Sequence, residues 1–166
     1  MMKQISVKEL SNDNFKIYGS FSNLINPDAP KLGPGLVECY RDMERIALGS
    51  TSVASFTVMH MVERPKIIQK LEYHNNSGEA LLPLDGDGFL TVALATRTGE
   101  APRADQIEVF RIPRGTLVTL RPGVWHHAPF ISHCDVLNVL VVLPERTYAT
   151  DCYFTFFAEE EYLKVV

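Results

Sequence analysis

Apolar and polar residues alternate along most of the chain, in the two-residue rhythm of strands whose successive side chains face opposite ways. The run SVASFTVMHMV (residues 52–62) reads as one or two half-buried strands. EALLPL (79–84) and FLTVALAT (89–96) follow, separated by Asp-Gly-Asp-Gly, whose Asp-Gly steps favour a tight reversal. IEVFRIP, TLVTLRPG, DVLNVLVVLP and the aromatic CYFTFF complete the series. Short strands at this spacing, with glycine and proline between them, predict an all-β sandwich or closed barrel. Helical signals are peripheral: SNDNFKIYG (11–19) as a short turn capped by Ser11 or Asn12, and AEEEYLK near the end as another. Residues 26–35, with three prolines and two glycines, read as an ordered surface loop.

One polar stretch breaks the rhythm. LEYHNNSGEALLPLDGDG (71–88) reads as a strand entering a hairpin. On that strand Glu72 and His74 share a face while Tyr73 points away, and Glu79 opens the returning strand. Three such side chains can converge on one point inside a barrel. A fourth must come from a distant strand, and TLRPGVWHHAPF offers His126, presented by a bend at Pro122-Gly123. Imidazole and carboxylate are both ligands for divalent transition metals, and a mixed set of them leaves coordination positions open for catalysis. Residue types alone do not choose among nickel, manganese, iron and zinc. His127 follows His126 in an extended segment, so it is expected on the opposite face, as a structural or interface residue or as a substrate contact or proton relay.

Length and charge narrow the class. At 166 residues the chain suits one domain, residues 1–166, large enough to bury a core. A formal charge of −4, with no basic stripe, argues against nucleic-acid binding. Cys39, Cys134 and Cys152 form no CxxC pair and are expected as reduced, mostly buried thiols. The segment MMKQISVKELSNDNF lacks the apolar core of a signal peptide, and no run approaches the roughly 18 apolar residues of a spanning helix. The expectation is a soluble, cytoplasmic protein with no membrane partner.

The spacing Glu72-x-His74-x4-Glu79-x6-Gly86 resembles the first cupin motif, with Glu72 where that motif usually has a histidine. Gly115 followed by Pro122-Gly123-x2-His126 resembles the second, one residue longer than usual and with Phe130 where its final asparagine would fall. More particularly, KELSNDNFKIYGSF, GLVECYRDM, LEYHNNSGEALLPLDGD and GVWHHAPF are similar, in order and distance, to the ureidoglycolate lyase family. That resemblance implies a cupin-type double-stranded β-helix (jelly-roll) barrel with short peripheral helices, usually a homodimer. It also implies a carbon–nitrogen lyase that releases glyoxylate and urea from a small carboxylate substrate, ureidoglycolate. The chain departs from the family pattern at Glu79, where glutamine is usual, and at His60 or Met61, where an arginine is usual. The residues before the VWHH block, Leu120-Arg121, also differ.

The expected site therefore has Glu72, His74, Glu79 and His126 as ligands of a divalent transition metal. His127 and Glu79 are the expected catalytic residues. Arg121, His60 and Trp125 are expected to contact substrate, Arg121 through a planar fork that suits a carboxylate. For Trp125 the competing expectation is a core or interface anchor. His133 and the run Glu159-Glu160-Glu161 read as surface. Two other readings remain open: lyase or isomerase chemistry on a sugar acid or other small hydroxy acid, and a non-catalytic small-ligand-binding barrel.

Overall fold

The computed structural model describes residues 2–33, 36–97 and 100–166. In its first half the strands are β1 (Lys3–Ile5), β2 (Val7–Glu9), β3 (Gly19–Asn23), β4 (Lys31–Leu32), β5 (Cys39–Tyr40), β6 (Ala54–Val62), β7 (Ile67–Ile68) and β8 (Lys70–Tyr73). The second half adds β9 (Glu79–Pro83), β10 (Gly88–Ala93), β11 (Ile107–Ile112), β12 (Thr116–Leu120), β13 (Trp125–Ile131), β14 (Val136–Pro144), β15 (Tyr153–Phe156) and β16 (Leu163–Val165). One six-stranded sheet runs β15-β8-β13-β10-β11-β2, and a five-stranded sheet runs β3-β12-β9-β14-β6. From β8 to β14 the chain passes repeatedly between the two sheets, the winding of a jelly roll, so the all-β cupin-type barrel expected from the sequence is the architecture found.

Each sheet gives alternate residues to the space between them. Leu81, Val118, Leu120, Val139 and Val141 of one sheet meet Leu90, Val92, Phe110, Ile112 and Ile131 of the other, all buried. The predicted capped turn is α1 (Asn12–Phe15), with Ser11 as N-cap accepting from the Asn14 N–H. The turn delivers Phe15, fully buried, edge-on to Phe110 at 5.3 Å.

A second core lies outside the barrel. The outer face of the six-stranded sheet carries Leu71, Ala93, Val109, Trp125 and Phe130, and Ile68, Leu163 and Val165 of a three-stranded sheet, β1-β16-β7, pack with them. The six-stranded sheet is thus apolar on both faces, which explains why its alternation is imperfect. The acidic segment near the end forms a single 3-10 turn, Glu159–Glu161.

Four expectations need correction. The stretch 71–88 is no hairpin: β8 pairs with β13 and β15, β9 pairs with β12 and β14, and the two lie in different sheets. With both edges of each strand taken, the NNSG segment must carry the chain around a corner of the barrel. The Asp-Gly-Asp-Gly turn likewise crosses from β9 to the other sheet. Within 26–35, Lys31–Leu32 pairs with Cys39–Tyr40 as a two-stranded ribbon, while positions 34 and 35 lie outside the described residues. Finally, Cys39 is exposed and Cys134 and Cys152 are only half-buried, although none of the three is in a disulfide.

Candidate functional site

Glu79 begins β9 opposite Leu120, whose side chain faces the barrel interior. His126 lies on β13 opposite Val92, also an interior position. His74 follows the last residue of β8, two positions after Glu72, and so returns to the same face. The ligand atoms of His74, Glu79 and His126 all lie within 4.8 Å of one another, and all three residues are buried.

The hydrogen bonds around this triangle fix its chemistry. His74 Nδ1 donates to the Asp151 carbonyl (2.7 Å), and His126 Nδ1 donates to the Val124 carbonyl (3.0 Å). With Nδ1 of each ring engaged there, both Nε2 atoms are directed inward. His74 Nε2 is 2.9 Å from Glu79 Oε2 and His126 Nε2 is 3.0 Å from the same oxygen. The His126 contact lacks hydrogen-bond geometry, so its buried Nε2 has no hydrogen-bond partner. Two imidazole nitrogens and a carboxylate oxygen, one of them orphaned, form a donor set that fits a divalent transition metal.

Charge follows the same geometry. Burial alone would raise the Glu79 carboxyl, but His126 and His74 beside it hold it well below the usual carboxylate range. Burial alone would lower the His126 imidazole, but Glu79 and then Glu72 push it up.

The other expected residues fall elsewhere. Glu72 is half-buried, directly across from His126 on the neighbouring strand, yet outside the triangle; its Oε2 accepts from the Cys152 thiol at 3.4 Å. Trp125 and His127 lie on the outer face of the six-stranded sheet, opposite to His126. Trp125 packs in the second core, its ring 4.4 Å from that of Tyr73 and its indole N–H donating to Thr96. His127 stacks on Phe130 and donates from Nδ1 to the Ala128 carbonyl, facing away from the triangle. His60 is exposed, with Nδ1 2.8 Å from Asn138 Oδ1, while its neighbour Met61 is the one buried in the barrel core. Arg121 is exposed at the bend, with no ion pair among the described residues. The bend itself is as expected, Gly123 adopting φ +81° and donating its N–H to the His74 carbonyl. His133 and Glu159–Glu161 are exposed, again as expected.

Three residues at the triangle escaped the sequence reading. Asp151, buried, accepts from the main-chain N–H groups of Asn75 and Asn76 (both 2.9 Å), from the Asn76 amide and from Ser77 Oγ. It thereby ties the corner segment to the turn α2 (Thr147–Thr150). Cys152 contacts Glu72, and burial together with that carboxylate pushes its thiol up to about 12. Tyr148, although 58% exposed, is raised to about 12 by partial burial and then by Glu79 and Glu72. Nothing in the spacing of TYATDC announces these roles.

A jelly-roll barrel with a buried His-Glu-His centre defines a cupin-type protein. The ureidoglycolate lyase family model matches residues 2–164, and the chain belongs to that family. The ureidoglycolate lyase of Azotobacter vinelandii is 29% identical, over 98% of this chain and 97% of its own. That of Stutzerimonas stutzeri is 25% identical over 98% and 95%, and that of Salmonella enteritidis 23% identical over 84% and 86%. Among solved structures, Bacillus subtilis oxalate decarboxylase, described with Mn(II) centres, is matched at 17% identity and a TM-score of 0.43. That match spans 68% of this chain and 27% of the other, a likeness too slight to carry the assignment, which rests on topology and family. The expectation of an enzyme, a carbon–nitrogen lyase, stands on that membership. No helix among the described residues is long and apolar enough to cross a membrane.

Proposed function

We propose that the chain, as one cupin domain over residues 1–166, releases glyoxylate and urea from ureidoglycolate, with a divalent transition metal held by His74, Glu79 and His126. The observation that carries this reading is the convergence of two imidazole Nε2 atoms on one buried carboxylate oxygen, at 2.9 and 3.0 Å. Three protein donors leave coordination positions open, as a catalytic centre requires. Nickel, manganese, iron and zinc all accept such a set. When bound, the metal supplies Lewis acidity toward the hydroxyl and carboxylate oxygens of the substrate.

Ureidoglycolate bears hydroxyl, carboxylate and urea nitrogen on one carbon. Its collapse removes the hydroxyl proton, forms the carbonyl, and sends the C–N electron pair to a nitrogen that must be protonated. Glu72, level with His126 and outside the triangle, is the carboxylate we assign to take that proton and return it to nitrogen. The Cys152 thiol, donating to Glu72 Oε2, orients it. His74 and His126 keep their Nδ1 protons on main-chain carbonyls, so they hold position and do not relay. His127, on the other face of β13, has no part in this step.

A second reading keeps the metal and changes the substrate to another small hydroxy acid. It is favoured by one observation: the chain departs from the family pattern within the donor set itself, at Glu79, where glutamine is usual. The homodimer implied by the sequence resemblance has support in Phe56, Val58 and Val62, exposed apolar side chains on the edge strand β6.

Metal analysis of purified protein together with a urea-release assay tests the reading. The expected result is bound divalent metal, urea release from ureidoglycolate, and loss of both in His126→Ala. Metal-loaded protein that releases no urea would shift the case to the second reading. Intact metal and turnover in His126→Ala would remove the site altogether.

A further inference from the structure

A groove of about 770 Å³ lies away from the triangle, across β13 from it, where His127 faces outward. Its walls include Met59, Ile67, Phe156 and Phe157, with Arg64 and Lys70 among them, and no aspartate or glutamate lines it. Both cations lack a counter-ion among the described residues. Arg64 donates only to main-chain carbonyls, those of Ala128 (3.0 Å) and Pro129 (3.3 Å), and its guanidinium lies 4.8 Å from the Phe130 ring centre. Lys70 Nζ lies 5.2 Å from the centre of the Phe154 ring. The nearest acid along the chain, Glu63, is turned to Lys66.

We propose that this groove is a second ligand site, taking an organic carboxylate with an apolar body. A half-buried guanidinium whose hydrogen bonds all go to neutral carbonyls keeps its full charge to offer an anion. The apolar walls, with Phe156 75% exposed in the free protein, gain by being covered. The volume sits within the range of about 300–1,000 Å³ typical of small-molecule sites. Neighbouring histidines on one strand thereby face two different sites, His126 the barrel interior and His127 the groove.

Isothermal titration of the full chain with decanoate, and with decanol as the uncharged control, tests the proposal. Decanoate should bind saturably at one site per chain and decanol far more weakly. Lys70→Gln should weaken decanoate by about fivefold, the upper range for one exposed charge, and leave lyase turnover unchanged. Arg64→Gln/Lys70→Gln should weaken it by on the order of tenfold or more, and Lys70→Gln alone keeps the test decisive if the double variant fails to fold. His126→Ala should bind decanoate like the wild type. Equal binding of decanol, unchanged affinity in Lys70→Gln, or loss of binding in His126→Ala would each overturn the proposal. So would light scattering showing that a second copy of the chain excludes decanoate from the groove.

Discussion

Asp151→Ala should unfasten the corner that carries His74. Asp151 is 7% exposed, and its carboxylate accepts two main-chain N–H groups at 2.9 Å, the Asn76 amide at 3.2 Å and Ser77 Oγ at 3.4 Å. Hydrogen bonds to a charged acceptor are worth about 1.5–3 kcal/mol each. Counting only the two short ones, at the low end because Asn75 and Asn76 are exposed, gives about 3 kcal/mol. For a chain of this size that lowers the melting temperature by roughly 6–12 °C. The consequence for function is separate. The main-chain carbonyl of Asp151 receives the His74 Nδ1 proton, so a loosened turn lets the imidazole swing off the triangle. Loss of such outer support usually costs about 10–100-fold in metal affinity. Thermal denaturation of metal-free protein measures the first effect, and titration of folded protein with manganese(II) or zinc(II) at a temperature well below melting measures the second. Asp151→Asn, which keeps one acceptor oxygen, should show about half the stability loss. A melting temperature within about 1 °C of wild type would refute the network as a fastening. A lowered melting temperature with unchanged metal affinity would refute its role in aiming His74.

Two further outcomes follow from other contacts. Gly19→Ala should destabilise by several kcal/mol, on the order of the largest single-site effects, because an added Cβ would lie 1.8 Å from the Thr119 carbonyl oxygen on the paired strand; urea denaturation reads it, and a loss under about 1 kcal/mol would show that β3 moves aside freely. For His127, burial first and then Arg64 and Lys70 lower the imidazole to about 4. A depressed histidine leaves stability intact above the unfolded value near 6.5 and loses it as pH falls toward the folded value, so wild type should lose about 2 kcal/mol more than His127→Phe between pH 7.5 and 5.0. Parallel stability curves for the two proteins would refute the assignment.

The sequence disclosed faces better than partners. Alternation alone put Glu72 and His74 on one side and separated His126 from His127, and both relations hold. It did not say that β8 and β9 belong to different sheets, because a strand's rhythm marks its two sides and leaves its neighbours unspecified. In SVASFTVMHMV the rhythm could not even tell inside from outside. Phe56, Val58 and Val62 are apolar and exposed, while Met59 and Met61 are apolar and turned to the core, so His60 had no polar face to be assigned to. Trp125 took the core-anchor role of the two expected for it, in a place the rhythm did not show: the third sheet gives the barrel's outer wall a core of its own, and a large apolar side chain need not face the cavity. Asp151 was invisible because its partners, Asn75 to Ser77, lie more than seventy residues away and its own surroundings carry no spacing.

Position 130 joins these observations. The second cupin motif ends there in asparagine, and this chain has phenylalanine. Strict alternation from His126 would turn residue 130 into the barrel. The pairing of β13 with β10 instead shifts register between Phe89 and Thr91, so Phe130 sits opposite Phe89 and both belong to the outer core. A bulge of this kind reverses which residues face inward beyond it. Phe130 thereby becomes the platform on which His127 stacks at 5.0 Å and over which Arg64 lies at 4.8 Å. An asparagine in that place could offer neither contact, and its amide would be buried among apolar neighbours. The departure from the motif thus leaves the His-Glu-His triangle untouched, because its effect falls on the opposite face of the same strand, where it builds the floor beneath the two groups that line the groove.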